Sequence, residues 1–261
     1  MELHDARILV VGATSGIGLA VARQLAEAGA HVVLAGRRED KLAGAVAAIG
    51  ERAHAVRCDV REPADCDGVV AGTVDRLGGL DAFVYSTGID PLRRMRDTDA
   101  ELWHDVFSTN VTGASLVTRA ALPHLQAYAG KGGGRAVYIS ASAVGRPLPG
   151  MGAYDASKAA LDEMVRAWRA EHPEVGFSCV AVGQTLPTDV YANWDRELLG
   201  ELSADWIGRG YTHDNGPGAM TVDDCAAAVI GSITSPVDLR YVLALPAPGS
   251  TMPGSTTEND G

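Results

Sequence analysis

A tyrosine and a lysine four residues apart, Tyr154 and Lys158, are the side chains of this sequence best suited to acid–base chemistry. In a helix, residues at this spacing lie one turn apart on the same face. A lysine ammonium beside a phenol stabilises the phenolate, which lowers the pKa of the tyrosine from its usual value of about 10 toward neutrality. Because this spacing occurs by chance in many helices, the pair indicates a proton-transfer site only if other parts of the chain support it.

A glycine-rich segment near the N-terminus, VVGATSGIG at positions 10–18, gives that support. It follows a predicted strand and opens a predicted helix, which is the context of a nucleotide-binding turn. The glycines permit a tight turn, a close approach to a pyrophosphate and close packing of the helix on the sheet. The free amides and the dipole at the helix N-terminus favour an anion. The spacing is Gly-x-x-x-Gly-x-Gly, and we predict cofactor contacts at Gly12, Thr14, Ser15, Gly16, Ile17 and Gly18.

The second predicted strand ends in LAGRRED, which places Gly36, Arg37 and Arg38 at its end. NAD-specific sites usually have a carboxylate here, which accepts hydrogen bonds from the ribose 2′-hydroxyl. A carboxylate would repel a 2′-phosphate, whereas a guanidinium binds one through two hydrogen bonds. We therefore predict NADP(H) in preference to NAD(H), with Arg37 and Arg38 as ligands. The alternative is that both arginines are solvated residues at a helix start.

Short aliphatic or β-branched segments alternate with helical patterns over most of the chain. This alternation predicts a parallel sheet covered by helices on both faces, and right-handed crossovers make it a doubly wound α/β fold. Two adjacent helices are expected at 100–110 and 111–125, and a further helix over 154–171 carries the tyrosine–lysine pair. The predicted strands are Arg7–Val11, His31–Ala35, Ala53–Arg57, Ala82–Tyr85, Arg135–Ser140, Gly176–Val182 and Tyr241–Leu245.

We expect a single domain over 1–245, and two segments of the chain depart from the alternation. Residues 184–221 contain Tyr191, Trp194, Trp206 and Tyr211 among aliphatic side chains, which suits a lid over an apolar substrate. The alternative is that this segment only packs onto the sheet. Residues 246–261 are rich in Pro, Gly, Ser and Thr, which predicts a flexible tail.

Composition excludes several classes of function. The 261 residues carry a formal charge of -11, which argues against nucleic acid or an anionic membrane as the partner. No apolar stretch is long enough to span a bilayer, and the N-terminus has no signal-peptide pattern. The four cysteines and seven histidines show no metal-ligand spacing, so we expect no metal and reduced thiols in a cytoplasmic protein.

The ordered set of motifs resembles the short-chain dehydrogenase/reductase family over about residues 6–245. The motifs are the glycine-rich turn, Ser86-Thr87-Gly88, Asn110, the serines of the fifth strand and Tyr154-x-x-x-Lys158. The resemblance implies a Rossmann-like fold that transfers hydride between a nicotinamide ring and a carbonyl or alcohol carbon.

Residue roles follow from the same resemblance. Tyr154 is expected to exchange a proton with the substrate oxygen, while Lys158 lowers the tyrosine pKa and contacts the nicotinamide ribose. Asn110 is expected to anchor a water that joins Lys158 to solvent. Asp59 and Val60 match the adenine contact, and the wall of the cofactor site is expected at Ser86, Thr87 and Gly88, where the family usually has Asn-Ala-Gly.

The sequence departs from the family pattern at several positions. The usual spacing would put the catalytic serine at Ala141, so its neighbours Ser142 and Ser140 are both candidates, and we favour Ser142. Asp155 follows the tyrosine where the family mostly has a small uncharged residue, and the helical spacing points its side chain away from the phenol. After the sixth strand, Gly183 and either Thr185 or Thr188 are expected to contact the cofactor.

We therefore predict an NADP(H)-dependent oxidoreductase that interconverts a carbonyl and a secondary alcohol on a small organic molecule. Two alternatives are a non-catalytic nucleotide-binding sensor and an isomerase, dehydratase or epimerase on the same scaffold. We expect no nucleic acid and no membrane partner. A homodimer or homotetramer is expected, and the absence of a C-terminal Asp-Gly-Gly favours the dimer.

Overall fold

The structure, a computed structural model, describes residues 1–128, 133–186, 188, 191, 194–209 and 218–248. Seven parallel strands form one sheet whose order is β3-β2-β1-β4-β5-β6-β7, which confirms the doubly wound α/β fold. The strands are β1 (Arg7–Val11), β2 (His31–Gly36), β3 (Ala53–Arg57), β4 (Ala82–Tyr85), β5 (Arg135–Ala141), β6 (Gly176–Val182) and β7 (Tyr241–Ala244).

Eight α-helices cross between the strands in the described part of the chain. They are α1 (Gly16–Glu27), α2 (Glu39–Ile49), α3 (Pro63–Leu77), α4 (Ala100–Phe107), α5 (Gly113–Ala127), α6 (Gly152–Glu171), α7 (Arg196–Gly208) and α8 (Val222–Thr234). A short 3₁₀ turn at Met95–Asp97 precedes α4. The helix α7, inside the 184–221 segment, is not among the elements predicted from the sequence.

The two helices predicted at 100–110 and 111–125 differ from the observed elements at their junction. A π-helical turn over Ser108–Thr112 separates α4 from α5. The Tyr85 hydroxyl donates a 2.6 Å hydrogen bond to the Thr109 carbonyl, which the widened turn makes available. Gly113 follows, and a Cβ there would lie 2.7 Å from the Tyr85 hydroxyl and 2.8 Å from Val60. Close packing between β4 and this junction therefore determines where the helices end and begin.

Both faces of the sheet are buried, which explains why the strands are almost continuously apolar. On one face, residues such as Val10, Leu34 and Val180 pack under α1 and α8. On the other, Leu9 and Phe83 pack under α3, α5 and α6. Successive strand residues therefore point into two separate hydrophobic layers.

The strand order reverses between β1 and β4, and this reversal creates a crevice at the carboxyl edge of the sheet. The register pairs Val11 with Tyr85 and Ala141 with Val182, so the segments that follow these strands lie side by side. They are the glycine-rich turn, the Ser86–Gly88 motif, Ser142 and Gly183. The fold thus brings the predicted motifs to one edge.

Side chains of α7 and Trp194, within the 184–221 segment, contribute to a small third hydrophobic cluster at the same edge. Leu202 of α7 is fully buried against Leu92 and Met151. Tyr154, Trp194 and Trp206 border this cluster. No helix in the described residues is long and apolar enough to cross a bilayer.

Candidate active site

The glycine-rich turn between β1 and α1 is held by backbone contacts that only glycine allows. The amides of Gly12 and Ala13 both donate to the Ala35 carbonyl, at 2.8 and 3.0 Å. Gly12 has a φ of 93°, and a Cβ at this position would lie 2.7 Å from the Thr87 amide nitrogen. A Cβ at Gly18 would collide with the Gly12 carbonyl. The turn is therefore packed tightly between β2 and β4, with the N-terminus of α1 directed at the crevice.

The end of β2 carries a guanidinium beside this turn. Arg38 Nη2 donates to Thr14 Oγ1 at 2.6 Å and to Ser15 Oγ at 3.0 Å, and the side chain is exposed. A Cβ at Gly36 would lie 2.7 Å from the Thr14 methyl group, so a longer side chain there would require Thr14 to move. Arg37 is also exposed at this strand end.

Asp59 and Val60, the predicted adenine contacts, lie just past β3 and are buried. Arg61 donates from its side chain to both carboxylate oxygens of Asp59, at 3.0 and 2.7 Å. This contact lowers the pKa of Asp59 to about 2, so the carboxylate is charged at neutral pH. The sequence did not single out Arg61, although its i+2 spacing from Asp59 favours the contact.

Asn110 lies in the π-helical turn and is fully buried, and both the oxygen and the nitrogen of its side-chain amide are hydrogen-bonded. Its Oδ1 accepts from the Ile89 amide at 2.9 Å, while its Nδ2 donates to the Ile89 carbonyl at 3.0 Å and to Ser157 Oγ at 2.9 Å. The residue therefore joins α6 to the segment after β4. Ser157 was not predicted, and its position three residues after Tyr154 is the signal that marks it. The predicted water anchored by Asn110 stays a prediction.

Tyr154 and Lys158 lie on one face of α6, as the spacing predicts. The Lys158 Nζ is 5.7 Å from the centre of the Tyr154 ring and donates a 2.8 Å hydrogen bond to the Ile139 carbonyl of β5. A Cβ at Gly88 would lie 3.5 Å from this Nζ and 3.4 Å from Asn110 Oδ1. The motif after β4, the π-helical turn and α6 therefore converge on the lysine.

The expected lowering of the tyrosine pKa is wrong for this structure. Burial raises the pKa of Tyr154 well above its usual value, and the nearby carboxyl of Asp90 raises it further. Burial also lowers the pKa of Lys158 to about 8, which weakens its effect on the phenol. Tyr154 is therefore a protonated phenol at neutral pH.

The two candidate serines occupy different environments. Ser140 is fully buried within β5, beside Asp162 of α6. Ser142 lies one residue beyond the strand, is partly exposed, and donates its amide to the Val182 carbonyl at 3.0 Å. Of the two, only Ser142 is accessible to solvent, at the carboxyl end of β5.

The two candidate threonines after β6 also differ. Thr185 is buried, and its hydroxyl donates to the Gly183 carbonyl at 3.0 Å and contacts Cys225 Sγ at 3.2 Å. Thr188 Oγ1 lies 3.9 Å from the Cβ position of Gly16, so this residue faces the glycine-rich turn. Thr185 as a cofactor contact stays an untested prediction, and Thr188 has the better position.

The sequence predicts that the Asp155 side chain points away from the phenol, but the structure buries it next to the site. It is 5% exposed, its Oδ2 accepts from the Leu148 amide at 3.0 Å, and burial raises its pKa to about 7. The segment 148–151, which folds back over the start of α6, covers this side chain. The prediction was wrong because the helical spacing gives only the direction of a side chain. It does not show which other segment packs over that side chain.

Asp90 is a further buried carboxyl that sequence reasoning missed. It follows β4 in the segment STGID, is 6% exposed, and has a pKa raised to about 8 by burial and by Asp155. Its place in a loop at the carboxyl edge of the sheet is the signal that could have found it. Its charge acts on Tyr154, Lys158 and Tyr191.

Three aromatic rings of the 184–221 segment border the crevice. The Tyr191 and Trp194 rings are 4.6 Å apart between centroids, and Trp194 and Trp206 are 6.4 Å apart. Trp194 Nε1 donates to the Asp90 carbonyl at 2.6 Å, and Trp206 Nε1 donates to the Pro149 carbonyl at 2.9 Å. The segment is thus anchored to both loops that approach Tyr154. Tyr211, predicted with this group, lies outside the described residues.

Comparison with known proteins agrees with this geometry. The family model described as short chain dehydrogenase matches residues 6–198, and the chain belongs to the short-chain dehydrogenase/reductase family of oxidoreductases. The protein named Dehydrogenase/reductase SDR family member 4 is 31% identical in Oryctolagus cuniculus over 193 residues, or 72% of this chain and 73% of that protein. The Bos taurus protein of that name is 34% identical over 181 residues, or 67% of this chain and 64% of its own length.

Two solved structures are similar in fold. One is a 3-ketoacyl-(acyl-carrier-protein) reductase from Brucella melitensis complexed with NADH, with a TM-score of 0.80, 23% identity and coverage of 97% and 98% of the two chains. The other is an alcohol dehydrogenase from Thermococcus sibiricus complexed with 5-hydroxy-NADP, with a TM-score of 0.78, 22% identity and coverage of 92% and 96%. At these identities the similarity shows the fold alone.

Proposed function

We propose that this protein is an NADP(H)-dependent oxidoreductase that interconverts a carbonyl and a secondary alcohol on a small organic molecule. The observation that carries this proposal is the convergence of Gly88, Asn110 and Lys158, with Tyr154 on the same helix face, beside a glycine-rich turn. An acid–base side chain next to a dinucleotide-binding turn is the arrangement that carbonyl reduction requires.

The residues of the crevice fit a nicotinamide dinucleotide. The packing at Gly12 and Gly18 leaves the N-terminus of α1 open to a pyrophosphate. Gly88 has no side chain, so the space beside Lys158 stays open to a ribose. The bound cofactor would supply or accept the hydride. Contacts to it are assigned to the turn, to the Asp59–Val60 and Ser86–Gly88 segments, and to Gly183, with Thr188 favoured over Thr185.

The chain's own residues then handle the substrate oxygen. Tyr154, protonated at neutral pH, donates its proton to the carbonyl oxygen during reduction and removes it again during oxidation. Ser142 donates a hydrogen bond to the same oxygen as negative charge develops. Lys158 holds the ribose and returns a proton to the tyrosine. The aromatic side chains of Tyr191, Trp194 and Trp206 exclude water and contact the apolar part of the substrate.

The preference for NADP(H) rests on the end of β2. Arg38 extends over Thr14 and Ser15, where a 2′-phosphate would approach, and Gly36 stands where NAD-specific sites have a carboxylate. The dissociation constants of NADPH and NADH, measured by fluorescence titration, test this preference. Tighter binding of NADH would refute it.

A panel of ketones with NADPH tests the proposed activity. We expect oxidation of NADPH in a one-to-one ratio to alcohol formed, and loss of this activity by orders of magnitude in Tyr154→Phe. The variant should bind NADPH as tightly as the wild type, because the substitution removes only the proton donor. A sensor protein would bind NADPH without oxidising it, and an isomerase would convert substrate without net consumption of NADPH.

A homodimer or homotetramer in the cytoplasm is also proposed. The edge strand β7 exposes Tyr241 (48%) and Leu243 (54%), and Val237 beside it is 61% exposed. Such an apolar edge strand suits a second copy of the chain. The four cysteines are free and buried, which agrees with a reducing compartment. Light scattering after size-exclusion chromatography should give a multiple of 27.1 kDa that decreases in Leu243→Lys.

A further inference from the structure

Two carboxyl groups beside Tyr154 have oxygens that are buried without a hydrogen bond. They are Oδ1 of Asp90 and Oδ1 of Asp155. In the described residues the other such atoms belong to Ser140 and Asp162, which lie close to each other and to Cys179, so they have polar neighbours within the fold. A buried carboxylate oxygen without a partner is costly, so its presence in a substrate crevice indicates a group that arrives with the ligand.

The charged side chains of this region indicate the sign of the charge on the ligand group. Among the described residues, Lys158 is the cation that acts on the Asp90 carboxyl, whereas Asp90, Asp155 and Asp162 supply three carboxyls around the tyrosine–lysine pair. The lysine ammonium already donates to the Ile139 carbonyl and forms no ion pair within 4.0 Å with any residue that the structure describes. Burial raises the pKa of Asp90 to about 8 and that of Asp155 to about 7, so both carboxyls take up protons near neutral pH. An acidic substrate would favour these protonated forms further, whereas a bound cation favours the carboxylates.

The surrounding rings suit a cation as well. Tyr191 and Trp194 stand next to Asp90, and Trp194 is tied to its backbone carbonyl. The indole N–H groups of Trp194 and Trp206 donate hydrogen bonds to backbone carbonyls. These tryptophans can therefore contact a ligand only through the faces of their rings. Ring faces of tryptophan and tyrosine attract ammonium groups, most strongly when these are desolvated.

We propose that Asp90 binds a protonated amine of the substrate, so that the physiological substrate class is amino ketones and amino alcohols with an apolar remainder. Asp90 gives up its proton when the ammonium group binds, and the resulting carboxylate accepts a hydrogen bond from that group. The faces of Tyr191 and Trp194 cover the substituents of the amine. Asp155 is a second buried carboxyl that acts on both Asp90 and Tyr154. This assignment rests on the proposed function for the placement of the reacting carbon near Tyr154.

A matched pair of alcohols tests the assignment. N-Benzylpiperidinol is protonated at neutral pH, and benzylcyclohexanol replaces its nitrogen by a CH group without changing the shape. Calorimetric titration is done with NADPH present, because an alcohol is not oxidised in that complex, and at pH 8, where ionising Asp90 costs little. It should give a dissociation constant about tenfold or more lower for the amine, the usual effect of a charge-assisted hydrogen bond. Equal affinities of the wild type for the two alcohols would overturn the proposal.

Variants separate recognition of the charge from a structural role of Asp90. Asp90→Asn preserves shape and should reduce the preference for the amine to within about threefold, while Asp90→Glu should retain a preference of about tenfold. The control is Asp97→Asn, which removes a carboxylate that is 52% exposed in the same segment and should leave the preference unchanged. Equal weakening of both alcohols in Asp90→Asn would also refute the proposal.

Formation of NADPH from benzylcyclohexanol reports on the proposed function independently. If neither alcohol is oxidised, the oxidoreductase activity fails for this scaffold, and the binding contrast still decides whether Asp90 recognises an amine. If both are oxidised with equal affinity, the activity holds and the amine site is refuted.

Discussion

The cofactor region and the substrate region of this protein are built by different means, although they share one edge of the sheet. In the cofactor region, backbone contacts of Gly12 and Gly18 fix the geometry, and the polar side chains such as Asp59 and Arg38 have hydrogen-bond partners. In the substrate region, side chains from three separate segments meet around Tyr154, and the carboxyls of Asp90 and Asp155 each keep an unpartnered oxygen. The first region is preorganised by the fold, and the second is completed by what it binds.

The largest effect on activity is expected from substitution of Ser142, compared with substitution of Ser140. Ser142→Ala should lower kcat by roughly 10²–10³-fold, the usual loss when one donor to a developing oxyanion is removed. Ser140→Ala should change kcat by less than about threefold, because that side chain is enclosed in β5. Steady-state kinetics of the two variants with one ketone decides between them. A large loss in Ser140→Ala alone would reverse the assignment.

The next effect concerns the cofactor region. Arg38→Ala should raise the dissociation constant of NADPH by roughly 10–100-fold, since it removes charge-assisted hydrogen bonds to the 2′-phosphate. Binding of NADH should stay within about threefold. Arg52→Ala is the matched control, because this guanidinium is 37% exposed at the amino ends of β2 and β3 and contacts Asp5. Equal weakening of NADPH and NADH in Arg38→Ala would show that the residue only supports the glycine-rich turn.

The two regions also differ in how far the sequence predicts them. The strands β1, β3, β4 and β6 begin and end at the predicted residues, because apolar β-branched runs bounded by polar or glycine residues have one compatible structure in a buried parallel sheet. The glycine-rich turn was predictable for a similar reason, since its geometry needs glycine at fixed positions. Local signals therefore determine most of the fold and the predicted cofactor turn.

The substrate region depends on contacts between distant parts of the chain, which no local pattern carries. Asp155 is buried because Leu148 folds over it, and Asp90 because α7 and Trp194 approach from more than a hundred residues away. The π-helical turn at Ser108–Thr112 exists because Tyr85 and Val60 press on Gly113. The pKa of Tyr154 follows from these same contacts, so its direction could not be read from the spacing to Lys158.

A stability measurement tests the buried carboxyl of the substrate region. The folded-state pKa of Asp90 is raised to about 8, above its unfolded value of about 4, so the folded protein holds a proton that the unfolded chain loses. Stability is therefore highest below the unfolded pKa and decreases as the pH rises toward 8, by up to about 1.4 kcal/mol per pH unit.

Asp90→Asn removes this titration, so its melting temperature should exceed that of the wild type by a margin that grows from pH 6 to pH 8. About 2 kcal/mol over this interval corresponds to roughly 4–8 °C for a chain of this size. Asp155, Lys158, Tyr154 and Tyr191 face the same carboxyl and are unchanged in the variant. Asp97→Asn should follow the wild-type curve. A margin that is constant with pH would mean that Asp90 is ionised in the folded protein at pH 6.

The smallest effect is expected at α7, where the question is whether the 184–209 segment contacts substrate or only packs. Leu202→Ala removes a fully buried side chain from the cluster that borders Tyr154, so the aromatic wall carried by Trp194 and Trp206 loses its support. A bulky ketone that uses this wall should show a KM about fivefold higher, while a small ketone should change by less than about twofold. The matched control is Ile207→Ala on the same helix, because this side chain is 66% exposed and should alter neither value. If Leu202→Ala raised KM equally for both ketones, α7 would act on the position of Tyr154 itself. The catalytic helix α6 would then be preorganised by packing, as the cofactor region is, and the contrast between the two regions would not hold there.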